Sequence, residues 1–212
     1  MKTAIIGLGN IGNQVALNLI AGGQPVIVAD HGATKGQEFA KASDGRARAA
    51  SVAAAIEEGD IVILAVYFDA IKGLLAEYRS KLAGKILVDP SNPIAPDGSG
   101  GFRKIIPQDQ SSGQILAGLI PAGAKLVKAF GTLGAASLKT GARRSPEPNV
   151  LFYATDDRAA GEAVAELIKA SGFAPVRVGS LDQSIRIEVS GDLHEFGKLG
   201  KLVTAKEAAA LV

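Results

Sequence analysis

Three glycines, Gly7, Gly9 and Gly12, stand at the G-x-G-x-x-G spacing in the segment AIIGLGNIGNQVALNLI, and an acid, Asp30, ends a second apolar run 18 residues after Gly12. These residue types at this spacing suit one kind of chemistry. A glycine at position 7 permits a tight turn, one at 9 lets the backbone approach an anion, and one at 12 lets a helix pack closely on a sheet. The first N–H groups of that helix and its positive dipole end then face the anion, which suits a pyrophosphate. An acid about 20 residues downstream accepts hydrogen bonds from ribose hydroxyls. The loop Gly7-Leu8-Gly9-Asn10-Ile11-Gly12 and Asp30 therefore form a candidate dinucleotide site.

In the stretch PVIVADHGATKG, Asp30 is followed by His31 and Lys35. A carboxylate there accepts from a free 2′-hydroxyl and repels a 2′-phosphate, which favours NAD over NADP. Protonated His31, Thr34 and Lys35 partly neutralise such a phosphate, so NADP stays open. The competing reading of Asp30 is a helix cap, bonded to the N–H groups of a helix that begins near Gly32.

Short Val/Ile/Leu-rich runs must position these residues: Thr3–Gly7, Val26–Asp30, Ile61–Val66, Lys85–Asp89, Lys125–Phe130, Val150–Ala154 and Pro175–Val178. Their apolar content without strict alternation predicts parallel strands covered on both faces. Helical spacing appears over residues 11–21, over 52–58 after a Ser51 cap, over 69–82, from Ser111 or Ser112 through Ile120, and over 157–171. This order predicts an α/β fold with a Rossmann-type doubly wound, mostly parallel sheet. Residues 1–124 are expected to form the dinucleotide-binding domain. Residues 125–212 are expected to form a smaller C-terminal lobe that continues the sheet and supplies the substrate side of the cleft. The segment 90–110, rich in proline and glycine, reads as a long loop that either serves a site or is only mobile. The ending AKEAAALV reads as a short helix capped by Thr204.

Composition narrows the function. The chain of 212 residues is 47% apolar and 21% charged, with a formal net charge of +2, a normal balance for a folded domain. No basic patch points to nucleic acid. The absence of cysteine excludes thiolate nucleophiles and cysteine metal sites, and two histidines make a structural metal centre improbable, so no metal is expected. The start lacks the plan of a signal peptide and no apolar run approaches the roughly 20 residues of a membrane span. A cytoplasmic location without membrane contact is the expectation.

The segments GLGNIG, VDPSNP (88–93), SSGQILAGLIPAGAKLVKAFGT (111–132) and LHEFGKLGKLV (193–203) together resemble the NADP-linked oxidoreductases dependent on the deazaflavin coenzyme known as factor 420. The resemblance covers nearly the full length, with LVKAFGT after LAGLIP its most specific part. It implies hydride transfer between a nicotinamide dinucleotide and a flavin- or deazaflavin-like ring across the cleft between a Rossmann domain and a small lobe, a small-molecule redox partner, and a homodimer. It also implies a substrate side at Phe130, Gly131, Thr132 and His194. Two departures stand out. Many relatives carry a Ser-Arg type pair where this chain has Asp30-His31, and an asparagine of a KAFNT motif where this chain has Gly131.

Ligands of open α/β sheets bind beyond the carboxyl ends of the strands. Ala65, Val66 and Tyr67 end one run, and Ser91, Asn92 and Pro93 follow another, so these positions flank the nicotinamide and its ribose. The alternatives are packing of Tyr67 under a loop and simple turn chemistry at Asn92-Pro93. Ring-to-ring hydride transfer needs chiefly two faces in contact with water excluded. Reduction of a carbonyl or imine needs a proton donor as well, for which Lys128, His194 and Tyr67 are the candidates. Lys128 otherwise reads as a solvated strand-end lysine, His194 as a surface or packing histidine, and Glu188 as a partner of Arg186 or a local cap. The family comparison implies that reductases of hydroxyacids, pyrroline carboxylate or ketopantoate share the Rossmann half but add a large helical domain, for which the 34 residues after Val178 are too few. A third reading is a redox sensor that binds the dinucleotide without turnover.

Overall fold

A computed structural model describes residues 1–32 and 34–212. The first half alternates strand and helix: β1 (Thr3–Ile6), α1 (Asn10–Ala21), β2 (Val26–Ala29), α2 (Thr34–Lys41), β3 (Ala47–Ala49), α3 (Val52–Glu58) and β4 (Ile61–Leu64). Then come α4 (Phe68–Glu77), α5 (Arg79–Leu82), β5 (Ile86–Asp89), a hairpin of β6 (Ile94–Pro96) and β7 (Phe102–Lys104), α6 (Ser112–Ala117) and β8 (Lys125–Lys128). The chain closes with α7 (Ala135–Thr140), β9 (Val150–Ala154), α8 (Arg158–Ala170), β10 (Ala174–Gly179), α9 (Ser184–Ile187) and α10 (Ala205–Ala208).

Eight strands form one sheet in the order β10-β9-β8-β5-β4-β1-β2-β3. From β8 to β3 every neighbouring pair is parallel. The order reverses between β1 and β4, which opens a crevice at their carboxyl ends. Alternate residues of each strand feed two cores, as period-2 geometry requires. Ile5, Val28, Ile63, Val88 and Val127 pack with Val15 and Leu19 of α1 and Val164 and Ile168 of α8. Ala4, Ile6, Val62, Leu64, Leu87 and Leu126 pack on the other face with Ile56, Ile71, Leu75 and Leu116. The sheet is thus doubly wound and mostly parallel, as its sequence predicts.

Four features correct the sequence reading. First, β9 is antiparallel to β8, joined to it through the single pair Lys128↔Ala154, and β10 is parallel only to β9. Burial on both faces makes an antiparallel strand as uniformly apolar as a parallel one, so composition does not fix direction. Second, the segment 90–110 contains the β6–β7 hairpin, closed by Asp97, whose Oδ1 accepts from Ser99 N (2.8 Å), Ser99 Oγ (2.8 Å) and Gly101 N (3.0 Å). Third, the helix expected over 69–82 breaks at Tyr78, whose backbone (φ −104°, ψ 22°) ends α4 and precedes α5. Fourth, α6 stops at Ala117 rather than reaching Ile120. Ser111 caps it in a reciprocal capping box with Gln114, and Ser112 is released for another role.

The segment after β10 is no separate unit. Ile187, Leu193, Val203 and Ala208 cover Val150, Phe152 and Ala154 of β9 in a third apolar cluster. Its last helix is only four residues long, capped by Thr204 together with Glu207, whose carboxyl Lys201 and Thr204 hold down at about 2.

Candidate active site

The glycine loop joins β1 to α1 at the crevice, and its three glycines are needed for different reasons. Gly7 has φ +97°, and a Cβ there would lie 2.5 Å from Ala65 O, so the turn presses on the end of β4. A Cβ on Gly12 would stand 2.0 Å from Gly7 O and 2.8 Å from Ala65 Cβ, so this glycine sets the approach of α1 to the sheet. Gly9 has φ −72° and nothing within 4 Å of a built Cβ. No contact within the described chain fills the space over position 9. Gly9 is the N-cap residue of α1, with no side-chain cap bond and no acid in the first turn, so the helix presents bare N–H donors and a positive dipole end. Leu8 is buried, Asn10 exposed and Ile11 half-buried. A pyrophosphate fits this cradle.

Asp30 follows β2 at the same edge and is half-buried, with His31 and Lys35 exposed beside it. The alternative reading of Asp30 as a helix cap falls on Ala33, outside the described residues. Ala65 and Val66 are half-buried against the glycine loop, and Tyr67 is 85% exposed at the start of α4, so it is not packed under a loop.

The far side of the crevice is built from three loops: 89–93 after β5, 129–134 after β8, and 188–197 after α9. Asn92 joins all three, its Nδ2 donating to Gly131 O (3.0 Å) and its Oδ1 accepting from Val189 N (2.7 Å). Expected as a ligand contact, its amide is spent on the protein at both ends, and Pro93 beside it is buried. Gly131 O also receives His194 Nε2 (2.9 Å). Gly131 does more than remove an amide side chain, because a Cβ there would meet Pro90 O at 2.6 Å. The loop therefore lies flat on the peptide of Pro90. The preceding residue, Phe130, is fully buried at φ +64°, a strained conformation held by its surroundings. Thr132 is buried and its hydroxyl has no partner among the described residues, and the same holds for the Ser91 hydroxyl.

None of the proton-donor candidates in this floor is free. His194 is 1% exposed, and its Nδ1 accepts from Phe196 N (3.0 Å) while Nε2 faces a carbonyl. That pairing defines the neutral tautomer with the proton on Nε2, and burial holds the imidazole below its ordinary value of 6.5. Lys128 is neither solvated nor open to the cleft. It is 1% exposed, and Nζ donates to Asp89 Oδ2 (2.8 Å), Ser112 Oγ (2.7 Å) and Ser91 O, with Glu188 Oε1 at 3.7 Å.

Glu188 likewise pairs with neither Arg186 nor local backbone. Its Oε1 accepts from Ser112 N (2.8 Å) and lies 2.7 Å from Ser112 Oγ, which is itself 2.9 Å from Asp89 Oδ2. One hydroxyl proton cannot serve two carboxylates. Burial, opposed by Lys128 and Ser112 and aided by Asp89, raises the Glu188 carboxyl above its ordinary value. Asp89 and the pairing of Ser112 with Glu188 escape sequence reasoning, because nothing local marks a polar residue as paired with another 23 or 76 positions away.

A separate cavity of about 330 Å³, lined by Lys2, Pro25, Val26, Arg46, Arg48 and Glu58, lies at the opposite, amino-terminal edge of β1 and β2. It is remote from the glycine loop, and Arg48 there is already paired with Glu58.

Residues 2–93 match the family described as NADP oxidoreductase, coenzyme F420-dependent. The F420-dependent NADP reductase of Methanothermobacter marburgensis is 29% identical over 201 residues, covering 89% of this chain and 88% of that one. The metalloreductase STEAP3 of Rattus norvegicus is 29% identical over 187 residues, covering 88% of this chain but only 36% of that protein, so this chain spans about a third of its length. Among solved structures, a hypothetical protein of Sinorhizobium meliloti superposes with a TM-score of 0.81 at 33% identity, covering 92% of this chain and 93% of that one.

Proposed function

We propose that the chain, whose residues 2–93 match the coenzyme F420-dependent NADP oxidoreductase family, is a member of it and moves a hydride between a nicotinamide dinucleotide and a flavin- or deazaflavin-like ring. The coarser statement, an NADP-linked oxidoreductase, follows from the family alone. The observation that carries the dinucleotide is the open space over Gly9 at an uncapped helix N-terminus, between two glycines that the fold itself requires. The dinucleotide supplies the hydride chemistry when bound. The chain's own residues bind, orient and exclude water. Gly9 and the first turn of α1 hold the pyrophosphate, and Asp30 meets the adenosine ribose.

A ring acceptor is favoured over a carbonyl because the buried basic groups at the floor are already committed. Lys128 and His194 are fastened to internal partners, which leaves the exposed Tyr67 alone of the three candidates to protonate an alkoxide. Hydride exchange between two flat rings requires only that their faces be held together.

Asp30 sets the finer cofactor preference. Its carboxylate accepts from a free 2′-hydroxyl, so NADH competes with NADPH in this chain more than in relatives with a Ser-Arg pair at this place. Titration with NADH and NADPH, followed by stopped-flow oxidation with deazaflavin, flavin and small carbonyl acceptors, tests both parts. Rapid oxidation by the ring compounds is expected. Turnover of carbonyls but of no ring would overturn the acceptor. Asp30→Ser should weaken NADH by about 1–2 kcal/mol, the worth of hydrogen bonds to a charged acceptor, and improve NADPH. Equal affinities before and after the change would remove Asp30 from the ribose site.

A further inference from the structure

We propose that Phe196 is the platform on which the flat ring of the hydride partner rests, so that the cleft selects planar conjugated acceptors. This rests on the hydride-transfer reading above and deepens it. Three aromatic side chains are largely exposed: Tyr67 (85%), Phe102 (66%) and Phe196 (68%). All three belong to segments that gather at the carboxyl edge of the sheet. Tyr67 follows β4, Phe102 lies in the hairpin after β5, and Phe196 lies in the tail segment docked on the loop after β8.

Phe196 is also held rigidly. Its N–H donates to His194 Nδ1 (3.0 Å), and its ring centroid lies 5.6 Å from the imidazole at an interplanar angle of 42°. On one side, Gly197 N donates to His194 O (2.9 Å). On the other, Glu195 N donates to Thr132 O (3.2 Å), and the Glu195 carboxylate accepts from Gly134 N and from Ser137 Oγ (2.6 Å). His194, two residues before, shares the carbonyl of Gly131 with Asn92, so the platform is fastened to the floor of the crevice.

Gly134 supplies an independent mark. Its φ of −70° suits any residue, yet a Cβ there would lie 3.1 Å from two Phe196 ring carbons and 3.0 Å from Glu195 Oε1. A side chain there would press on both the phenyl ring and the Glu195 carboxylate, so glycine lets the two lie close against the backbone. A loosely tethered surface phenylalanine requires neither this gap nor the surrounding anchors. The result is an apolar ring supported on one side and open on the other, a rigid anchor whose free side is best covered by another flat π-system. A conjugated tricycle covers that surface without needing hydrogen bonds there, whereas a small carbonyl compound covers little of it.

The test compares wild type with Phe196→Ala and Phe196→Tyr. Equilibrium binding of oxidised 5-deazariboflavin and of FMN is measured by fluorescence quenching with NADP+ present, alongside NADPH affinity, hydride transfer and sedimentation. Phe196→Ala should bind both rings about tenfold more weakly, the scale of a lost aromatic contact, with NADPH affinity unchanged. Phe196→Tyr should restore ring binding. In turnover the loss should appear in KM for the ring rather than in kcat. Equal ring affinity in wild type and Phe196→Ala overturns the platform. So does dissociation of a dimer by Phe196→Ala with ring binding intact, which would make the exposed face a subunit contact. Ring binding that depends on Phe196 without hydride transfer supports the platform and refutes the hydride reading instead. Failure of wild type to bind either ring overturns both.

Discussion

Gly9 and Gly12 stand three residues apart in one loop, yet their substitution should fail in opposite ways. A methyl group on Gly12 collides with the Gly7 carbonyl at 2.0 Å, so Gly12→Ala should lower stability by about 1–3 kcal/mol in urea unfolding, the range of overpacked cores. A methyl group on Gly9 meets nothing within 4 Å, so Gly9→Ala should unfold at the wild-type midpoint and bind NADPH at least about tenfold more weakly. Equal affinity would separate the loop from the pyrophosphate. Lys128→Met probes the buried cluster. It leaves Asp89 and Glu188 facing each other without their cation, and should cost about 3–5 kcal/mol, the usual penalty for removing one partner of a buried pair. A stable variant with normal unfolding would mean that the cluster does not hold the floor together. The spacing of glycines displayed the turn between β1 and α1 plainly. The cluster stayed hidden because Lys128, read along the chain, is only a lysine at the end of a strand.

The segment 188–197 depends on the protonation of two buried groups with opposite signs. His194 is held neutral, so its pKa in the folded protein lies below that of the unfolded chain. Its stabilisation is complete above the unfolded value of 6.5 and is lost as pH falls from there toward the folded value. Glu188 is raised, so its contribution is complete below the ordinary 4.5 and fades as pH rises through its folded value. As pH drops from 7.5, His194 should therefore pull the wild-type urea midpoint down below about pH 6.5, with Glu188 opposing it. His194→Gln keeps an N–H donor for Gly131 O and cannot titrate, so that fall should flatten. An unchanged pH profile in the variant would assign the effect to other groups. Among the elements themselves, the apolar runs foretold seven strands and Ser51, Ser111 and Thr204 foretold three caps. Strand β3, helix α7 and the β6–β7 hairpin were not foretold, because short or glycine- and proline-rich segments carry too little periodicity to announce themselves.

The two halves expected at a 124/125 boundary share one sheet and one core. β8 supplies the outer neighbour of β5, and Leu138, Leu151, Val164 and Ile168 complete the cluster that contains Ile5, Val15 and Leu19. A chain ending at Ala124 should therefore bind a hydrophobic dye and lack near-ultraviolet dichroism, and the full chain should unfold in a single step by both near- and far-ultraviolet dichroism. Independent folding of residues 1–124 would make them a domain in their own right. Among the described residues no helix is long and apolar enough to cross a membrane. The sequence by itself determined the alternating α/β order, the doubly wound sheet and the glycine cradle, because each is written in spacing over a few neighbouring residues. Only the tertiary structure decided that β9 reverses direction, that Asn92 and His194 meet on one carbonyl, and that Lys128 is sealed between Asp89 and Glu188. Those pairings join residues far apart in the chain, and what fixes them is burial, which no single stretch of sequence contains.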